Sequence, residues 1–282
     1  MAVELFKYRT LVIATMHGKE KVIAPLLEQT LGVKIIIPGY FDTDQYGTFS
    51  GEIEREADPV EAARIKANAA CQAYHCDLAI ASEGSFGAHP SLFFVPADDE
   101  IVVFLDIKNG IEVKAREVST KTNFAGGLCK NWADAKAFAQ AVHFPSHALI
   151  LRKEKQDIAH LLKGIHTWAE LEDRCSDYLK LFGHVFLETD MRAMNNPTRM
   201  EVIEIVTRKL VEKILYQCPK CDLPGFDVVE VVRGLPCNLC RYPTNSTLYY
   251  IYRCSKCNFE EKKTYPHGIK LEDPQYCNYC NP

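Results

Sequence analysis

Eight cysteines near the end of the chain are the residues whose type and spacing are best suited to chemistry. They form four Cys-x-x-Cys pairs, Cys218 with Cys221, Cys237 with Cys240, Cys254 with Cys257, and Cys277 with Cys280. One such thiolate pair can hold one side of a metal ion, and a second pair completes a closed tetrahedral site. We therefore expect two structural Zn²⁺ ions, which stabilise a segment too small to bury a core of its own.

Spacing leaves open which of the four Cys-x-x-Cys pairs, here called knuckles, share a metal ion. Gaps of 15 residues after Cys221 and 19 residues after Cys257 both suit a four-cysteine zinc site. They favour a sequential arrangement, in which neighbouring pairs along the chain share an ion. The alternative is a nested arrangement, in which the two inner pairs share one ion across a gap of 13 residues and the outer pairs share the other.

The residues around the pairs repeat as well. "YQCPKCDLPGF" is followed by "GLPCNLC", and "YRCSKCNFEEKK" is followed by "YCNYC". This wording resembles the knuckle-and-hairpin layout of zinc ribbons and rubredoxin-like modules, so iron is an alternative to zinc. A disulfide framework would need an oxidising compartment, and we expect no export signal at the start of the chain.

Charge argues against a nucleic-acid role for this cysteine-rich segment. From residue 217 onward, eight Lys and Arg stand against seven Asp and Glu, and two zinc ions on eight thiolates change this balance from +1 to −3. Phosphate backbones bind basic surfaces, so nucleic acid is not expected as a partner. The whole chain carries a net charge of −4, and no apolar run is long enough to span a membrane. We expect a cytoplasmic protein whose ribbons form a rigid appendage, a homodimer contact or a docking surface for a protein partner.

The chain before the cysteines alternates between strand and helix patterns. Short apolar runs predict buried strands at "TLVIATM", "VKIIIP" and "CDLAIAS", and the last of these leads into a glycine-rich loop, "EGSFG". The stretch "SLFFVPADDEIVVFLDIKNGIEVKAREVST" predicts three extended runs with turns at "ADDE" and "KNG". A polar segment over 39–56 is long enough to predict a functional loop.

Helix starts are also marked in the sequence. Asp58 with Pro59, and Asn196 with Pro197, each predict an N-cap followed by a proline in the first turn. The resulting fold class is α/β, a mixed sheet with flanking helices and a small C-terminal tandem zinc-ribbon module. We predict an α/β nucleotide-binding domain over 1–200, a connecting helix over 201–216 and the tandem ribbons over 217–282.

Three segments of the first half carry a family resemblance. "IATMHGKEK", "DPVEAARIKANAA" and "LAIASEGSFG" resemble the inosine triphosphate pyrophosphatase and Maf-like superfamily, whose members cleave non-canonical nucleoside triphosphates to monophosphate and pyrophosphate. The whole chain, with "ETDMRAMNNPTRM" and the ribbons, also resembles a bacterial family of unknown function. The first resemblance implies an ITPase/Maf-like fold, a nucleotide substrate and catalytic Mg²⁺.

The superfamily's opening motif, Thr-x-Asn-x-x-Lys, holds the triphosphate. Here Thr15 fits the motif and His17 replaces its Asn. Because Glu20 occupies the strict Lys position, Lys19 or Lys21 must take that role. Lysines and a glycine at a strand-to-helix turn suit phosphate binding in any open α/β sheet.

Two further motifs supply the carboxylates that the resemblance implies. The helix motif Glu-Asn-Ala-x-x-Lys-Ala is matched over 61–67, which makes Glu61 the magnesium-linked carboxylate and Lys66 its lysine. The acidic strand end is matched by the run from Ser82 to Ser85, which makes Glu83 the metal ligand or base and Ser85 a substrate contact.

The superfamily's later Ser-His-Arg, which grips the base, is absent, and "ETDMRAMNNPTRM" is its nearest counterpart by position. There Arg192 and Arg199 are predicted to bind phosphate or base, with Asp190 fixing one of them through a bidentate pair. A domain-joining salt-bridge network is the structural alternative. Two functions therefore stay open, a Mg²⁺-dependent nucleoside triphosphate pyrophosphatase and a non-catalytic nucleotide sensor that docks a partner through its ribbons.

Overall fold

The computed structural model describes residues 2–39 and 58–282. The predicted functional loop over 39–56 lies outside the described residues apart from Gly39. Within the described ranges, no helix combines the length and the apolar character needed to cross a membrane.

A five-stranded mixed sheet forms the first part of the fold. Its order is β2-β1-β3-β4-β5, with β1, β2 and β3 parallel and β4 and β5 antiparallel to their neighbours. Its strands are β1 (Thr10–Ala14), β2 (Lys34–Ile36), β3 (Leu78–Ala88), β4 (Pro96–Asp106) and β5 (Ile111–Ser119). Its flanking helices are α1 (Ala2–Phe6), α2 (Glu20–Leu31), α3 (Pro59–Tyr74) and α6 (Pro197–Leu215). The mixed α/β sheet predicted from the sequence is therefore present.

Both faces of this sheet are buried, as the continuous apolar runs indicate. Leu11 and Ile13 of β1 belong to a core shared with α2 and α6. Val12 and Ala14 belong to a second core shared with α3. The predicted caps fix the starts of two of these helices, because Asp58 accepts from the Val60 N–H at 2.9 Å and Asn196 accepts from the Arg199 N–H at 3.0 Å.

A separate four-stranded antiparallel sheet follows, with the order β6-β9-β7-β8. Its strands are β6 (Gly126–Cys129), β7 (Leu149–Arg152), β8 (Leu161–Ile165) and β9 (Val185–Thr189), and its helices are α4 (Trp132–Ala141) and α5 (Trp168–Phe182). The runs "HALILR" and "HVFLETDM" predict β7 and β9, and "NWADAKAFAQAV" and "TWAELEDRCSDYLKLFG" predict the two helices, whereas no pattern indicates β6 or β8. Their sequences, "GGLC" and "LLKGI", contain glycines and lack the alternation of a half-buried strand.

The predicted boundaries of β3 and β4 are wrong. The expected glycine-rich loop "EGSFG" is the second half of β3, and the expected turn "ADDE" is the start of β4. The two strands pair along their whole length, from Leu78 opposite Asp106 to Ala88 opposite Pro96. This long-range pairing overrides the local turn signals, and the predicted strand "SLFF" lies instead in the hairpin connection.

The helix predicted as a connection packs into the main core. Ile203, Val206 and Leu210 of α6 are buried against the five-stranded sheet. The domain limits at 200 and 216 stay predictions. Helix α6 itself packs on one face of the five-stranded sheet.

A three-stranded antiparallel sheet, β10-β11-β12, carries the cysteine-rich segment. Its strands are β10 (Asp227–Arg233), β11 (Thr247–Arg253) and β12 (Glu260–Thr264). Phe226 and Leu223 next to this sheet share the main core with Ile111 and Val113 of β5. Gly225 allows this approach, because its φ is +83° and a Cβ there would lie 2.8 Å from Val113 Cγ2.

We expect Gly225→Ala to lower the free energy of unfolding of the zinc-loaded chain by about 2–4 kcal/mol, from a left-handed backbone and from overlap with β5. Gly268→Ala is the matched control, since Gly268 also has a positive φ of +76° but has open space around it. Gly268→Ala should lower the free energy of unfolding by only about 1 kcal/mol. Denaturant unfolding measures both variants. If they lost the same free energy of unfolding, the close contact of Gly225 with β5 would contribute nothing to stability.

Candidate functional site

The eight cysteines form two interleaved groups, not the sequential or nested groups predicted from spacing. Cys218, Cys221, Cys254 and Cys257 make one group, and Cys237, Cys240, Cys277 and Cys280 make the other. Both predicted pairings of the knuckles are therefore wrong, although the prediction of two four-cysteine groups is confirmed.

Strand pairing explains the interleaving. Asp227 at the start of β10 lies opposite Arg253 at the end of β11, so the first knuckle meets the third at one end of the sheet. At the other end of β10, Arg233 lies opposite Thr247. The second knuckle follows β10, and the chain returns to it after β12 through a bridge between Cys237 and Glu272.

The geometry of each group suits a structural metal ion. The eight sulfurs approach one another in pairs at 3.6 to 3.9 Å. A tetrahedral zinc ion with Zn–S bonds of about 2.3 Å requires sulfur separations of about 3.8 Å.

The backbone N–H groups of Lys220 and Leu239 donate to Cys218 and Cys237 at 3.4 Å. The N–H of Cys240 is the main cause that lowers the pKa of Cys237, to about 7. Four thiolates leave no open position for substrate, so both groups fit structural zinc.

Away from the cysteines, charged side chains from four elements converge inside the protein at the end of β1. Lys19 follows a turn in which His17 and Gly18 have φ of 69° and 80°. Its buried Nζ donates to the Ser82 hydroxyl at 3.0 Å. Burial, together with the charge of Arg199, lowers the pKa of Lys19 to about 8. Lys19, and not Lys21, is therefore the lysine that reaches the interior, since Lys21 is exposed.

The centre of this cluster is an ion pair between Arg199 of α6 and Glu100 of β4, whose side chains are both 0% exposed. Arg199 Nε donates to Glu100 Oε1 at 2.6 Å, and Arg199 also donates to the Met191 carbonyl at 2.5 Å. The pair lies on the backbone of Gly84, where a Cβ would come within 2.2 Å of Glu100 Oε1. A glycine is therefore required at position 84, because the ion pair approaches the backbone of β3 too closely for any side chain there.

Asp98, two residues before Glu100, shares its face of β4. It is 1% exposed, and among the described residues neither of its carboxylate oxygens receives a hydrogen bond from a donor, since its neighbour is the Glu100 carboxylate. The second oxygen of Glu100 has none either. Burial, followed by the charge of Glu100, raises the pKa of Asp98 to about 8, against the opposing effect of Arg199.

A second buried ion pair lies on the opposite face of β3. Lys66 of α3 pairs with Glu83, and both are about 5% exposed or less. Their charges also act on Lys19, so residues of three predicted motifs are close together. Glu61 stands apart from them. Its half-exposed carboxylate pairs with Arg64, which also binds Glu112 of β5.

The other predicted residues border this cluster. Thr15 is buried, and its hydroxyl donates to the Met16 carbonyl at 3.0 Å. Ser85 lies on the opposite face of β3 from Gly84 and reaches the cleft described below.

The predicted bidentate pair is present, because Asp190 accepts from Arg192 at 2.6 to 3.2 Å. Burial alone would raise the pKa of Asp190, but the hydrogen bonds from Arg192 lower it below its ordinary value.

A cleft of ≈ 620 Å³ separates the five-stranded sheet from the four-stranded sheet. Phe86 and Phe124 lie in its wall with ring centroids 5.7 Å apart. The Arg199 guanidinium stands 5.1 Å from the ring of Phe86, and the Met191 carbonyl that Arg199 binds belongs to another lining residue. Arg199 thus forms the boundary between the charge cluster and the cleft. The cleft is lined on the side of the four-stranded sheet by the charged residues Arg152, Lys155, Lys163, Glu188, Asp190 and Arg192.

Sequence reasoning missed Asp98 and Glu100, which it assigned to a turn. No local signal separates them from a turn, because Asp99 between them is acidic as well and the run "ADDE" has the composition of a turn.

We expect double Cys→Ser variants to distinguish the three pairings. Cys218→Ser with Cys254→Ser should leave one bound zinc per chain, because both changes fall in one group. Cys218→Ser with Cys237→Ser should leave none. Zinc per chain is measured after gel filtration. The sequential arrangement predicts the reverse pair of results, and the nested arrangement predicts one retained zinc only for Cys218→Ser with Cys277→Ser.

Gly84→Ala should separate Arg199 from Glu100, because the added methyl group occupies the space of the Glu100 carboxylate. Breaking a buried ion pair costs about 3–5 kcal/mol, so we expect a loss of that size in the free energy of unfolding. Gly87→Ala on the same strand is the control, since nothing lies within 4 Å of a Cβ there. Similar stability of both variants would contradict the role of Gly84.

Comparison with known proteins gives a family for the chain but no activity. None of the curated proteins matches the chain, so the resemblance to the inosine triphosphate pyrophosphatase and Maf-like superfamily has no support from a relative. A family model matches residues 66–282, which include Lys66, Glu83, Asp98, Glu100, Arg199 and all eight paired cysteines. The β1–α2 turn and Glu61 lie before the match. The chain thus belongs to the family described as a domain of unknown function, DUF6671.

Proposed function

We propose that the protein is a Mg²⁺-dependent hydrolase of non-canonical nucleoside triphosphates, which it converts to monophosphate and pyrophosphate. One observation carries the proposal. Lys19, Lys66 and Glu83 come from three separate sequence motifs, yet the buried Lys66–Glu83 pair lies by the end of β1, close enough to Lys19 for its charges to act on that lysine. Ligands of open α/β sheets bind outside the carboxyl ends of the strands, which is where this cluster lies.

The cations of the cluster are suited to a polyphosphate. Lys19 directly precedes α2, and a helix N-terminus favours anions. Arg199, which is bound to Glu100 and to the Met191 carbonyl, adds a second positive charge on this face. Lys66 adds a third from the opposite face of β3, so these groups would balance several negative charges in a site that excludes water.

The cleft provides space for the nucleoside. Phe86 and Phe124 present aromatic surfaces on which a base can stack. The Asp190–Arg192 pair holds one carboxylate and one guanidinium at fixed positions in the same wall. Such paired polar groups recognise the edge of a base, which supports a nucleotide as the ligand and fits a site selective for altered bases.

The proposed reaction places water on the α-phosphorus, because the products are monophosphate and pyrophosphate. Glu83 is the residue we assign to orient that water and accept its proton. When phosphate oxygens compete for Lys66, the Glu83 carboxylate becomes available as a base. Mg²⁺ would polarise the phosphoryl group and neutralise developing charge when bound. Glu61, which the resemblance implies as a metal ligand, is held by Arg64 at the surface.

A non-catalytic nucleotide sensor, docked to a partner or to a second copy through its ribbons, is the second candidate. Two features favour it. Lys19, Lys66 and Glu83 are 6%, 5% and 4% exposed, which is low for groups that must meet substrate. In addition, no ligand position is open at either cysteine group, so the ribbons can act as a rigid platform.

We expect pyrophosphate release from one or a few members of a panel of canonical and deaminated nucleoside triphosphates with Mg²⁺. Glu83→Gln should lower the rate at least about 100-fold, because it removes the general base. Glu61→Gln is the matched control and should retain the wild-type rate. Thermal unfolding of each variant separates loss of activity from loss of fold. Nucleotide binding without release from any member would sink the hydrolase proposal and leave the sensor.

A further inference from the structure

We infer that Asp98 and Glu100 of β4 form a divalent-cation site, which fills together with a phosphate-bearing anion. The inference deepens the proposed function by assigning the cation ligands, and it rests on that function only for the identity of the anion. Neither residue belongs to the motifs that suggested a nucleotide.

Three carboxylate oxygens in this part of β4 are unengaged. Both oxygens of Asp98 and Oε2 of Glu100 are buried and have no hydrogen-bond partner among the described residues. A buried ionised carboxylate without partners costs several kcal/mol. Two ionised carboxylates cannot hydrogen-bond to each other, so either a proton or a cation must lie with them. Oxygen ligands of this kind are those that Mg²⁺ and Mn²⁺ prefer.

The side chains of Asp98 and Glu100 also share one direction. In the register of the sheet, Asp98 lies opposite Phe86 and Glu100 lies opposite Gly84, so both carboxylates occupy one face. Gly84 leaves the space that the Glu100 carboxylate and the Arg199 guanidinium occupy. Phe86, the partner of Asp98 in the register, lines the cleft. Glu117, opposite Glu100 on β5, is already paired with Lys209 of α6.

The number of ligands fits a small hard cation bound with its substrate. Among the described residues, only the cysteines form groups of three or more ligands within 4.8 Å. Asp98 and Glu100 therefore offer a pair of carboxylates and not a complete protein cage. Mg²⁺ commonly takes one or two carboxylates and completes its shell with water and substrate phosphates.

Charge then explains why the anion must accompany the cation. When both carboxylates are ionised, as binding of a cation requires, the negative Asp98 and Glu100 balance the positive Lys19 and Arg199 on this face. A divalent cation alone would leave two uncompensated positive charges in a buried site, which is unfavourable. A pyrophosphate group would offset them, so we expect cation and anion to bind cooperatively.

The test measures Mn²⁺ binding to the zinc-loaded full chain by the relaxation rate of water protons, with and without inorganic pyrophosphate. Mn²⁺ is low in the divalent affinity order and should not displace zinc from thiolates. We expect enhanced relaxation that strengthens when pyrophosphate is present. Asp98→Asn should weaken the affinity at least about tenfold, since even outer-shell changes at metal sites have that effect.

Asp99→Asn is the matched control, because Asp99 is the next residue on β4, pairs with Arg116, and points to the opposite face. It should bind Mn²⁺ as the wild type does. Asp98→Ala serves as a second variant if Asp98→Asn unfolds at a lower temperature. Wild-type affinity in either folded Asp98 variant, or no Mn²⁺ binding by the wild type under both conditions, would overturn the inference. Binding without pyrophosphate release from any nucleotide would keep this site and reject hydrolysis.

Discussion

The ion pair between Arg199 and Glu100 connects the parts of the protein on which the candidate site depends. Through this pair α6 is joined to β4, and through the Met191 carbonyl the same guanidinium holds the segment that leads from β9 into α6. The ring of Phe86 packs against it from β3. Losing one partner of a fully buried pair costs about 3–5 kcal/mol because the other charge is left without compensation. The pair thus constrains three elements at once, and Gly84 leaves the space in which it lies.

This pair also divides the interior into two environments. On one side lie Lys19, Ser82 and Asp98, where water is excluded and unpaired charge is costly. On the other side lies the cleft, with aromatic rings and preformed ion pairs. A ligand that spans both sides would place its charged end in the first environment and its planar end in the second. A nucleoside polyphosphate has these two ends, which is the physical basis of the proposed function.

The cysteine-rich segment depends on a different constraint. A three-stranded sheet of seven-, seven- and five-residue strands is too small to bury a core, and one four-cysteine group closes each of its ends. The first group also joins the main core, where Cys218 and Cys254 are buried with residues of β5 and α6. The aromatic rings of Tyr216, Phe226 and Tyr252 pack within 6 Å of one another at this junction. A metal ion bound at the first group would therefore stabilise the junction as well as the ribbon itself.

The sequence by itself determined the features that depend on neighbouring residues. Each Cys-x-x-Cys spacing established a metal knuckle, apolar runs established buried strands, and Asp58 and Asn196 established helix starts. Only the tertiary structure decided which of these features meet. The knuckles interleave because β10 pairs with β11, and "ADDE" is a strand because β3 pairs with β4 over its full length. Asp98 and Glu100 became part of the candidate site only when α6 brought Arg199 to Glu100 from 99 positions away. Spacing and composition act along the chain, whereas strand pairing and buried charge compensation act between residues that are distant in sequence, so no local pattern could specify them.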